Sequence, residues 1–449
     1  MSTVTIESEV VDGADATKAL ASSLAGTIVE WYEFFVYGIA AALVFGRLFF
    51  PSFDPLVGTL LSLSTFAVAF IARPIGAAVF GHLGDRIGRK SSLIITLSLM
   101  GGATFLIGLL PTYDAIGIWA PVTLVVVRIV QGFSLGGEYS GAVLISVEHA
   151  GPGRRGLFGS IVNTGSAFGL ILANLAFLAL SALDESQFLS WGWRIPFVLS
   201  AILVVVGMVI RARVSESPDF EEVKSRAHLV KTPLLETFKD YKGRLILLAL
   251  AYVGAGTFFY TASVFSLSYA QHLGVPRGEM LILVMGAFLF LAVAMVFFGW
   301  LSDRINRKMI FVAGAAVMTV APFIWFSLLE TRSFSLMLLG FIIMFVPFAA
   351  NYGVMPTFYT EVFPLKVRYT GMAIGYTLGT IFGSATAPLM GTYLLGATGN
   401  WYAIAAFMGG ASLYLRSRAL SSTSCQRIPM RQILSAEWGR SASITVVID

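Results

Sequence analysis

The most informative feature of this 449-residue sequence is how little charge it carries. Asp, Glu, Lys and Arg make up 12% of the residues, against about 25% in an average soluble protein, while 57% are apolar. This excludes a cytosolic enzyme and a disordered regulator, because a soluble chain of this length needs more charge on its surface. The single cysteine, Cys425, excludes a fold held together by intramolecular disulfides. The four histidines are scattered, so we expect no metal and no cofactor.

Two further function classes are excluded by the placement of the basic residues. The net charge is +5, but the basic residues lie in short runs between apolar blocks, so we expect no nucleic-acid partner. Residues 84–91 read GDRIGRKS, in which the two glycines are one residue closer together than in the phosphate-binding pattern GxxxxGK[ST], and the stretch follows no strand. We therefore expect neither ATP-driven chemistry nor an enzyme.

Long apolar runs are abundant, and they predict membrane-spanning helices. About 20 apolar residues cross the roughly 30 Å of bilayer hydrocarbon. Twelve windows fit: 24–46, 58–80, 91–111, 118–147, 156–182, 193–210, 245–270, 280–301, 309–329, 334–359, 370–396 and 401–415. The last reaches only about 22 Å at 1.5 Å per residue, which predicts a shortened final helix. The predicted fold class is an all-α protein of twelve helices in a lipid bilayer.

The basic residues also predict the orientation of the chain. The acidic first 23 residues do not resemble a cleaved signal peptide, whose first part is positive. Of the 30 lysine and arginine residues, 24 lie on the side of the membrane that the N-terminus shares, and four on the other side. Positive loops face the cytoplasm. We expect a multi-pass protein of the cell membrane with both termini in the cytoplasm.

The chain divides into two similar halves. Residues 81–90 read GHLGDRIGRK and residues 299–308 read GWLSDRINRK, identical at seven of ten positions. Repeats that run the same way through the membrane are typical of two-bundle transporters. The predicted parts are a cytoplasmic tail 1–23, a six-helix bundle 24–210, a solvated cytoplasmic loop 211–244, a second bundle 245–415 and an atypical polar cytoplasmic tail 416–449.

The repeated stretch resembles the loop signature of the major facilitator superfamily. Four other stretches resemble its metabolite–proton symporter branch: GTIVEWYEFFVYG (26–38), RIVQGFSLGGEYSGA (128–142), FLSWGWRIPF (188–197) and EVFPLKVRYTG (361–371). The resemblance covers about residues 20–415 and is nearest in character to shikimate-type carriers. It implies two six-helix bundles, alternating access, and a monomer that imports small organic acids or zwitterions with protons.

Five ionisable residues fall inside predicted spans, where a charge costs at least a few kcal/mol. They are Glu30, Glu33, Arg73, Arg128 and Glu138. The spacing i, i+3 places Glu30 and Glu33 on one helix face, and two such close carboxylates resist double ionisation, which suits a proton carrier. We predict a proton-coupling set of Glu30, Glu33, Arg128 and Glu138. Alternatively, permanent ion pairs hold these side chains for structural reasons.

A guanidinium in the membrane also suits a carboxylate ligand, because it grips both oxygens with parallel hydrogen bonds. Arg128 has Gln131 one turn away. Arg73 precedes Pro74 toward the cytoplasmic end of its helix, where snorkelling or a structural ion pair is the alternative to substrate contact. The predicted substrate-binding set is Tyr32, Tyr37, Arg73, Arg128, Gln131, Asn163, Asn351 and Tyr352. For each uncharged member, a hydrogen bond between helices is the alternative.

The predicted function is proton-coupled import of a small organic acid, such as a dicarboxylate or a shikimate-like carboxylate. The alternative is a symporter for a zwitterionic osmolyte such as proline or betaine; such relatives often have a charged coiled-coil extension at the C-terminus, and this tail shows no heptads.

By resemblance, the repeated loops and the echo of Glu148 and Arg155 in Glu361 and Arg368 form a conformational gate. In it, Asp accepts from backbone amides at a helix N-terminus and the bases bind carbonyls and carboxylates. The predicted gate residues are Gly81, Gly84, Asp85, Arg86, Gly88, Arg89, Lys90, Asp303, Arg304, Arg307, Lys308, Glu361 and Arg368.

Overall fold

The computed structural model describes residues 13–151, 153–212 and 233–421, and the regular structure in these ranges is helical. Nine of the described helices are long and apolar enough to cross a membrane, and a pair bent by 47° makes a tenth. Two more helical segments complete the order of twelve, and the last one runs from Tyr402 to Ser421. The sequence predicts a final span over 401–415, and in the structure this helix continues to Ser421.

We number the twelve segments in chain order. They are α1 Ala16–Phe49, α2 Pro55–Ile87, α3 Lys90–Leu109, α4 Trp119–His149, α5 Arg155–Ala179, α6 Gly192–Ala212, α7 Lys242–His272, α8 Arg277–Ser302, α9 Arg307–Val317 with Ala321–Leu329, α10 Phe334–Thr360, α11 368–398 and α12 Tyr402–Ser421. Segments α1, α7 and α11 each contain one π-helical turn, at Ala41–Phe45, Thr261–Phe265 and Ile381–Ala385.

The helices form two bundles, α1–α6 and α7–α12, which we call the first and second halves. In the first half α2 and α3 pack on α4 and α1 packs on α5; in the second, α7 packs on α11 and α8 on α10. The halves meet mainly through α5 with α8 and α2 with α11. These pairs exchange under the internal repeat, so the interface has approximate twofold symmetry.

The outer surface of the bundles is apolar. Large side chains such as Ile71, Ile202 and Val293 are more than half exposed. A soluble protein rarely exposes a continuous apolar surface, whereas a helix in lipid needs one. The exposed apolar side chains are therefore those expected of membrane-spanning helices that face lipid.

The boundary between the halves differs from the prediction at Arg211. Arg211, predicted as the first residue of the central loop, lies buried in the last turn of α6. A short helix, Pro233–Asp240, precedes α7 and contacts α11. The predicted tails up to residue 12 and from 422 onward, and loop residues 213–232, lie outside the described residues.

A row of glycines on α4 brings helices unusually close together. A Cβ on Gly136 would lie 2.2 Å from the Ala77 nitrogen and 2.3 Å from the Arg73 carbonyl oxygen of α2. A Cβ on Gly132 would lie 2.3 Å from the Ala69 carbonyl oxygen. Side chains of any size are excluded here, so the glycines set the α2–α4 distance. The crossing fixes Arg73 of α2 against α4.

Replacing Gly136 by valine should therefore separate α2 from α4. We expect Gly136→Val to lower the free energy of unfolding by about 1–3 kcal/mol, the usual effect of overpacking, and to lower the thermal unfolding midpoint in detergent. Gly102→Val is the matched control, because a Cβ on Gly102 meets no atom within 4 Å among the described residues. Equal midpoints for the two variants would contradict this account.

Candidate functional site

Arg128 of α4 is a fully buried cation without an acidic partner among the described residues. Its Nη1 donates to the Gln131 side-chain oxygen, while Nε and Nη2 have no hydrogen-bond partner there. The guanidinium carbon lies 3.9 Å from the ring centre of Tyr37 and 4.6 Å from that of Phe34. Aromatic faces compensate a buried cation only in part. The site therefore favours an incoming anion.

Arg73 of α2 also contacts the ring of Phe34. Its guanidinium carbon is 4.7 Å from the ring centre of Phe34 and 4.9 Å from that of Phe70. The two guanidinium carbons are thus at most 9.3 Å apart. Arg73 is also buried, and its Nε has no hydrogen-bond partner among the residues that the structure describes. The two guanidinium groups thus share one cluster of aromatic side chains, Phe34, Tyr37, Phe66 and Phe70, which we call the aromatic chamber.

Glu33 is connected to Arg128 through two uncharged side chains. The Gln131 amide nitrogen donates to the Thr104 hydroxyl at 2.7 Å, and that hydroxyl lies 3.3 Å from Glu33 Oε2. The Thr104 hydroxyl also lies 3.0 Å from the Met100 carbonyl oxygen. A hydroxyl has one proton to donate, so it donates either to Glu33 or to Met100. The charge on Glu33 is therefore linked to the orientation of this hydroxyl.

Glu30 lies one turn before Glu33 and has different neighbours. It is buried, and its Oε2 has no hydrogen-bond partner among the described residues. Arg73, Glu138 and Arg211 are within electrostatic reach of it. The two carboxylates of α1 therefore differ in their surroundings: Glu33 contacts the Thr104 hydroxyl of the relay to Arg128, whereas Glu30 makes no ion pair among the described residues.

Glu138, predicted as a proton-coupling residue, forms a buried ion pair that the sequence analysis did not foresee. Its Oε1 accepts from Arg211 Nη2, and its Oε2 accepts from the Thr96 hydroxyl at 2.5 Å. Both charged side chains are at most 4% exposed. Glu138 is therefore compensated, whereas Glu30 and Glu33 make no ion pair among the described residues.

The uncharged residues of the predicted binding set differ in the contacts that they make. Tyr32 donates to the Pro196 carbonyl of α6 at 2.7 Å, and Asn351 donates to the Phe311 carbonyl of α9 at 3.0 Å. Each of these contacts joins helices of one half. Asn163 instead donates to the Tyr352 carbonyl at 2.7 Å, which joins the two halves. Tyr37 hydrogen-bonds to Thr65 at 2.5 Å beside Arg128.

A layer of buried tyrosines between the halves was missed by the sequence analysis. Tyr139 of α4 stacks on Tyr376 of α11 with ring centres 4.2 Å apart, and Tyr139 donates to Asn163. Tyr260 of α7 packs 5.3 Å from Phe70, beside Arg73, and its hydroxyl has no hydrogen-bond partner among the described residues. Each tyrosine comes from a different helix, so no local pattern in the sequence joins them.

The repeated loops lie at one end of the bundles, which we call the loop end, and each makes the same contact across the interface. Asp85 accepts from the backbone nitrogen and the hydroxyl of Thr370 at the start of α11, at 3.2 and 2.6 Å. Asp303 accepts from the backbone nitrogens of Gly156 and Leu157 at the start of α5, at 2.7 and 2.9 Å. Both are the aspartate-to-amide contacts expected at a helix N-terminus.

The basic residues of the loop end bind several kinds of partner. Arg368 reaches Glu148 across the interface at 3.3 Å, while Arg307 pairs with Glu361 and with Asp303 inside the second half. Lys90 donates to the Ala212 carbonyl at 2.8 Å.

Two glycines of the first repeat permit close approach of the second half, because Cβ atoms on Gly81 and Gly84 would lie 3.2 Å from Thr370 and Tyr369. Gly88 has φ 108°, which favours glycine. Arg304 covers the Trp300 ring at 3.7 Å, and Arg86 and Lys308 are at least partly exposed. The Arg89 side chain lies outside the described residues.

A cavity of about 730 Å³ opens at the end opposite the loops. Its walls come from the ends of α1, α2 and α7 and include Ala41, Arg47, Thr59 and Gln271. Ala41 is one turn beyond Tyr37, whose ring lies under Arg128. The wall residue Ala41 is thus one helical turn from Tyr37, on the side away from the loop end, and the loop end is held by contacts between the halves.

Comparison with known proteins agrees with this geometry. The sequence model of the Major Facilitator Superfamily matches residues 34–381 and 248–415. The chain belongs to this superfamily. The inner membrane metabolite transport protein YhjE of Escherichia coli is 40% identical over 402 residues, which cover 86% of this chain and 90% of that protein. The shikimate transporter of E. coli is 36% identical over 426 residues, covering 92% and 95%.

The superfamily membership identifies the chain as a multi-pass membrane transporter and not an enzyme. A structure of the xylose transporter XylE of E. coli matches with a TM-score of 0.71 at 19% identity, covering 90% of this chain and 98% of that one. At this identity the likeness concerns the fold alone. The predicted all-α, twelve-helix, two-bundle fold is confirmed.

Loss of the Asp303 charge should loosen the loop end. Thr357 is buried there, and its hydroxyl donates to the Arg155 carbonyl across the interface at 2.8 Å. In a Cys425→Ser background, the rate at which a thiol reagent modifies Thr357→Cys reports opening. We expect Asp303→Asn to raise this rate about tenfold, since hydrogen bonds to a charged acceptor contribute about 1.5–3 kcal/mol.

The matched control is Glu185→Gln, which removes an exposed ion pair with Arg47 inside the first half. This variant should leave the modification rate unchanged. An Asp303→Asn rate equal to that of the control would show that the contact does not hold the halves together.

Proposed function

We propose that this protein imports a small carboxylate metabolite together with protons, by alternating access. The observation that carries the proposal is the chamber around Phe34, where Arg73 and Arg128 are buried without a carboxylate partner among the described residues. A buried unpaired charge costs several kcal/mol. A carboxylate ligand offsets this cost and accepts the free guanidinium hydrogens.

The aromatic walls of the chamber favour a small, compact anion. Phe34, Phe66 and Phe70 pack with ring centres 4.9–5.4 Å apart, and Tyr260 of the second half closes the cluster. Their faces cover an apolar ring or chain, while the Tyr260 hydroxyl is available for a polar substituent. This composition supports a shikimate-like carboxylate or a short dicarboxylate.

Glu30 and Glu33 are the proposed proton carriers. Each is buried, and each has one oxygen without a hydrogen-bond partner among the described residues. Protonation of Glu33 changes which acceptor the Thr104 hydroxyl uses, and the relay through Gln131 carries this change to Arg128. Proton binding is thereby linked to the group that binds the substrate carboxylate.

The contacts at the two ends of the protein support an order for substrate entry and release in the transport cycle. We propose that the loop end and both termini face the cytoplasm of a monomer in the cell membrane, as the excess of basic residues indicates. Substrate then enters from the 730 Å³ cavity, and release requires separation of Asp85 and Asp303 from α11 and α5. The loop residues act as a gate and do not contact the substrate.

The proposal predicts that two kinds of transport respond differently to loss of the carboxylates. In proteoliposomes with an imposed proton gradient, Glu30→Gln and Glu33→Gln should each reduce uphill accumulation at least tenfold. Exchange of labelled for unlabelled substrate should persist, because it needs no net proton movement. The panel contains shikimate, succinate, proline and glycine betaine. Glu279→Gln, in the first turn of α8, is a control for carboxylate removal.

Uptake of shikimate or succinate that needs the proton gradient supports the proposal. Uptake of proline or glycine betaine alone would instead favour an osmolyte carrier. Unchanged uphill accumulation in both glutamate variants would exclude these residues as proton carriers.

A further inference from the structure

The ion pair between Glu138 and Arg211 has no role in the transport scheme above. Its side chains are 1% and 4% exposed, so both charges lie away from water. Arg211 Nη1 also donates to the Leu93 carbonyl of α3 at 2.9 Å, and Thr96 of α3 donates to Glu138 at 2.5 Å. The pair therefore joins α3, α4 and α6, and its hydrogen bonds satisfy both charges.

The guanidinium of Arg211 also occupies space on the surface of α1. A Cβ on Gly26 would lie 1.9 Å from Arg211 Nη2 and 2.6 Å from Nε. Gly26 is one turn before Glu30, so the absence of a side chain at this position lets the guanidinium cross α1 beside the proposed proton carrier. Arg211 therefore contacts the helix that carries both Glu30 and Glu33.

The position of Arg211 in α6 is fixed from the loop end. Arg211 is the penultimate residue of α6, and Lys90 of α3 donates to the carbonyl of the last one, Ala212. The Arg211 side chain thus begins at the anchored end of α6, and its guanidinium contacts α3, α4 and α1. A movement of α1 relative to α6 has to displace it.

Several charged and titratable groups face Glu30 and Glu138. Glu138 is within electrostatic reach of both Glu30 and Glu33. The groups around Glu30 are Glu33 of α1, Arg73 of α2, Glu138 and Tyr139 of α4, Arg211 of α6, Tyr260 of α7 and Tyr352 of α10. Without Arg211, Glu138 would add a third uncompensated carboxylate to this group.

We propose that Arg211 is a positioning residue for proton-linked transport: it compensates Glu138 and holds α1 at Gly26, so that Glu30 and Glu33 alone take up the proton. This inference rests on the proposed function. Arg211 acts through Glu138 and α1 and does not contact the substrate. The net charge beside Glu30 is the quantity that its removal changes.

The signs of the expected effects separate this role from a structural one. Arg211→Gln leaves an extra negative charge beside Glu30, which favours proton uptake, so the pH at half-maximal transport should rise by about one unit. Glu138→Gln leaves an extra positive charge and should lower this pH by a similar amount. The double variant removes both charges and should return it to the wild-type value.

The measurement is the initial rate of uptake against external pH, from about 5 to 9, at a fixed proton gradient in proteoliposomes. The substrate is the better transported of labelled shikimate and succinate. Arg211→Lys retains the charge and should keep the wild-type pH midpoint at a reduced rate. Arg194→Gln is the matched control: Arg194 is at the other end of α6 and donates to the Gly108 and Leu110 carbonyls.

A second variant reaches the same site without removing a charge. Gly26→Ala has to displace the guanidinium, so it should slow transport several-fold in the wild type and have no further effect in Arg211→Gln. If Arg211→Gln alone does not fold, the same test can be made in the Arg211→Gln/Glu138→Gln double variant, which buries no unpaired charge. Gly26→Ala should have no effect on transport in that background either.

The outcomes distinguish this inference from the proposed function. Opposite pH shifts in the single variants, cancelled in the double variant, support it. Proton-driven uptake with one pH midpoint in wild type and all variants would overturn the role of Arg211 and leave the proposed function standing. Wild-type uptake that ignores the proton gradient would overturn both.

Discussion

The structure depends on the cost of a buried charge in a medium without water. An isolated guanidinium or carboxylate in the low-dielectric interior is unfavourable by several kcal/mol unless an opposite charge and hydrogen bonds compensate it. Glu138 and Arg211 form a buried ion pair, which Thr96 and the Leu93 carbonyl extend with further hydrogen bonds. Arg73 and Arg128 contact the faces of aromatic rings instead. In the described part of the chain the only side-chain hydrogen bond that either makes is from Arg128 to Gln131. The same fold thus holds one buried ion pair and, in the described part of the chain, two buried cations without an ion-pair partner, where we propose that an anion binds.

The second organising feature is the twofold repetition of one contact. Asp85 and Asp303 each bind the N-terminus of a helix in the opposite half, α11 and α5 respectively. The donors are backbone amides and one hydroxyl, so the contact depends on helix position more than on side-chain identity. Because both contacts lie at the loop end, they hold the halves together on one side only. A transporter needs such contacts to be reversible, and hydrogen bonds at a partly exposed end satisfy this condition.

The sequence predicted features that are local or repeated, and it missed those formed between distant segments. The aspartate contacts were predicted because the motif occurs twice, and the Arg128–Gln131 contact follows from i, i+3 spacing. The Glu138–Arg211 pair was not predicted, since its partners are 73 positions apart and Arg211 borders a polar stretch that looks like loop. Tyr32 and Asn351 were predicted beside the substrate. In the structure the Tyr32 hydroxyl and the Asn351 amide nitrogen bind neighbours inside one half, while the Asn351 side-chain oxygen has no partner among the described residues. Helix packing decides which side of a helix faces the centre.

The central claim is that the paired arginines bind a carboxylate. Titration calorimetry of the purified protein with shikimate, succinate and their methyl esters tests it directly, because esterification removes the charge and keeps most of the shape. The account predicts that the free acid binds at least tenfold more tightly than its ester, and that Arg128→Gln abolishes the difference. Equal affinities for acid and ester in the wild-type protein would contradict it.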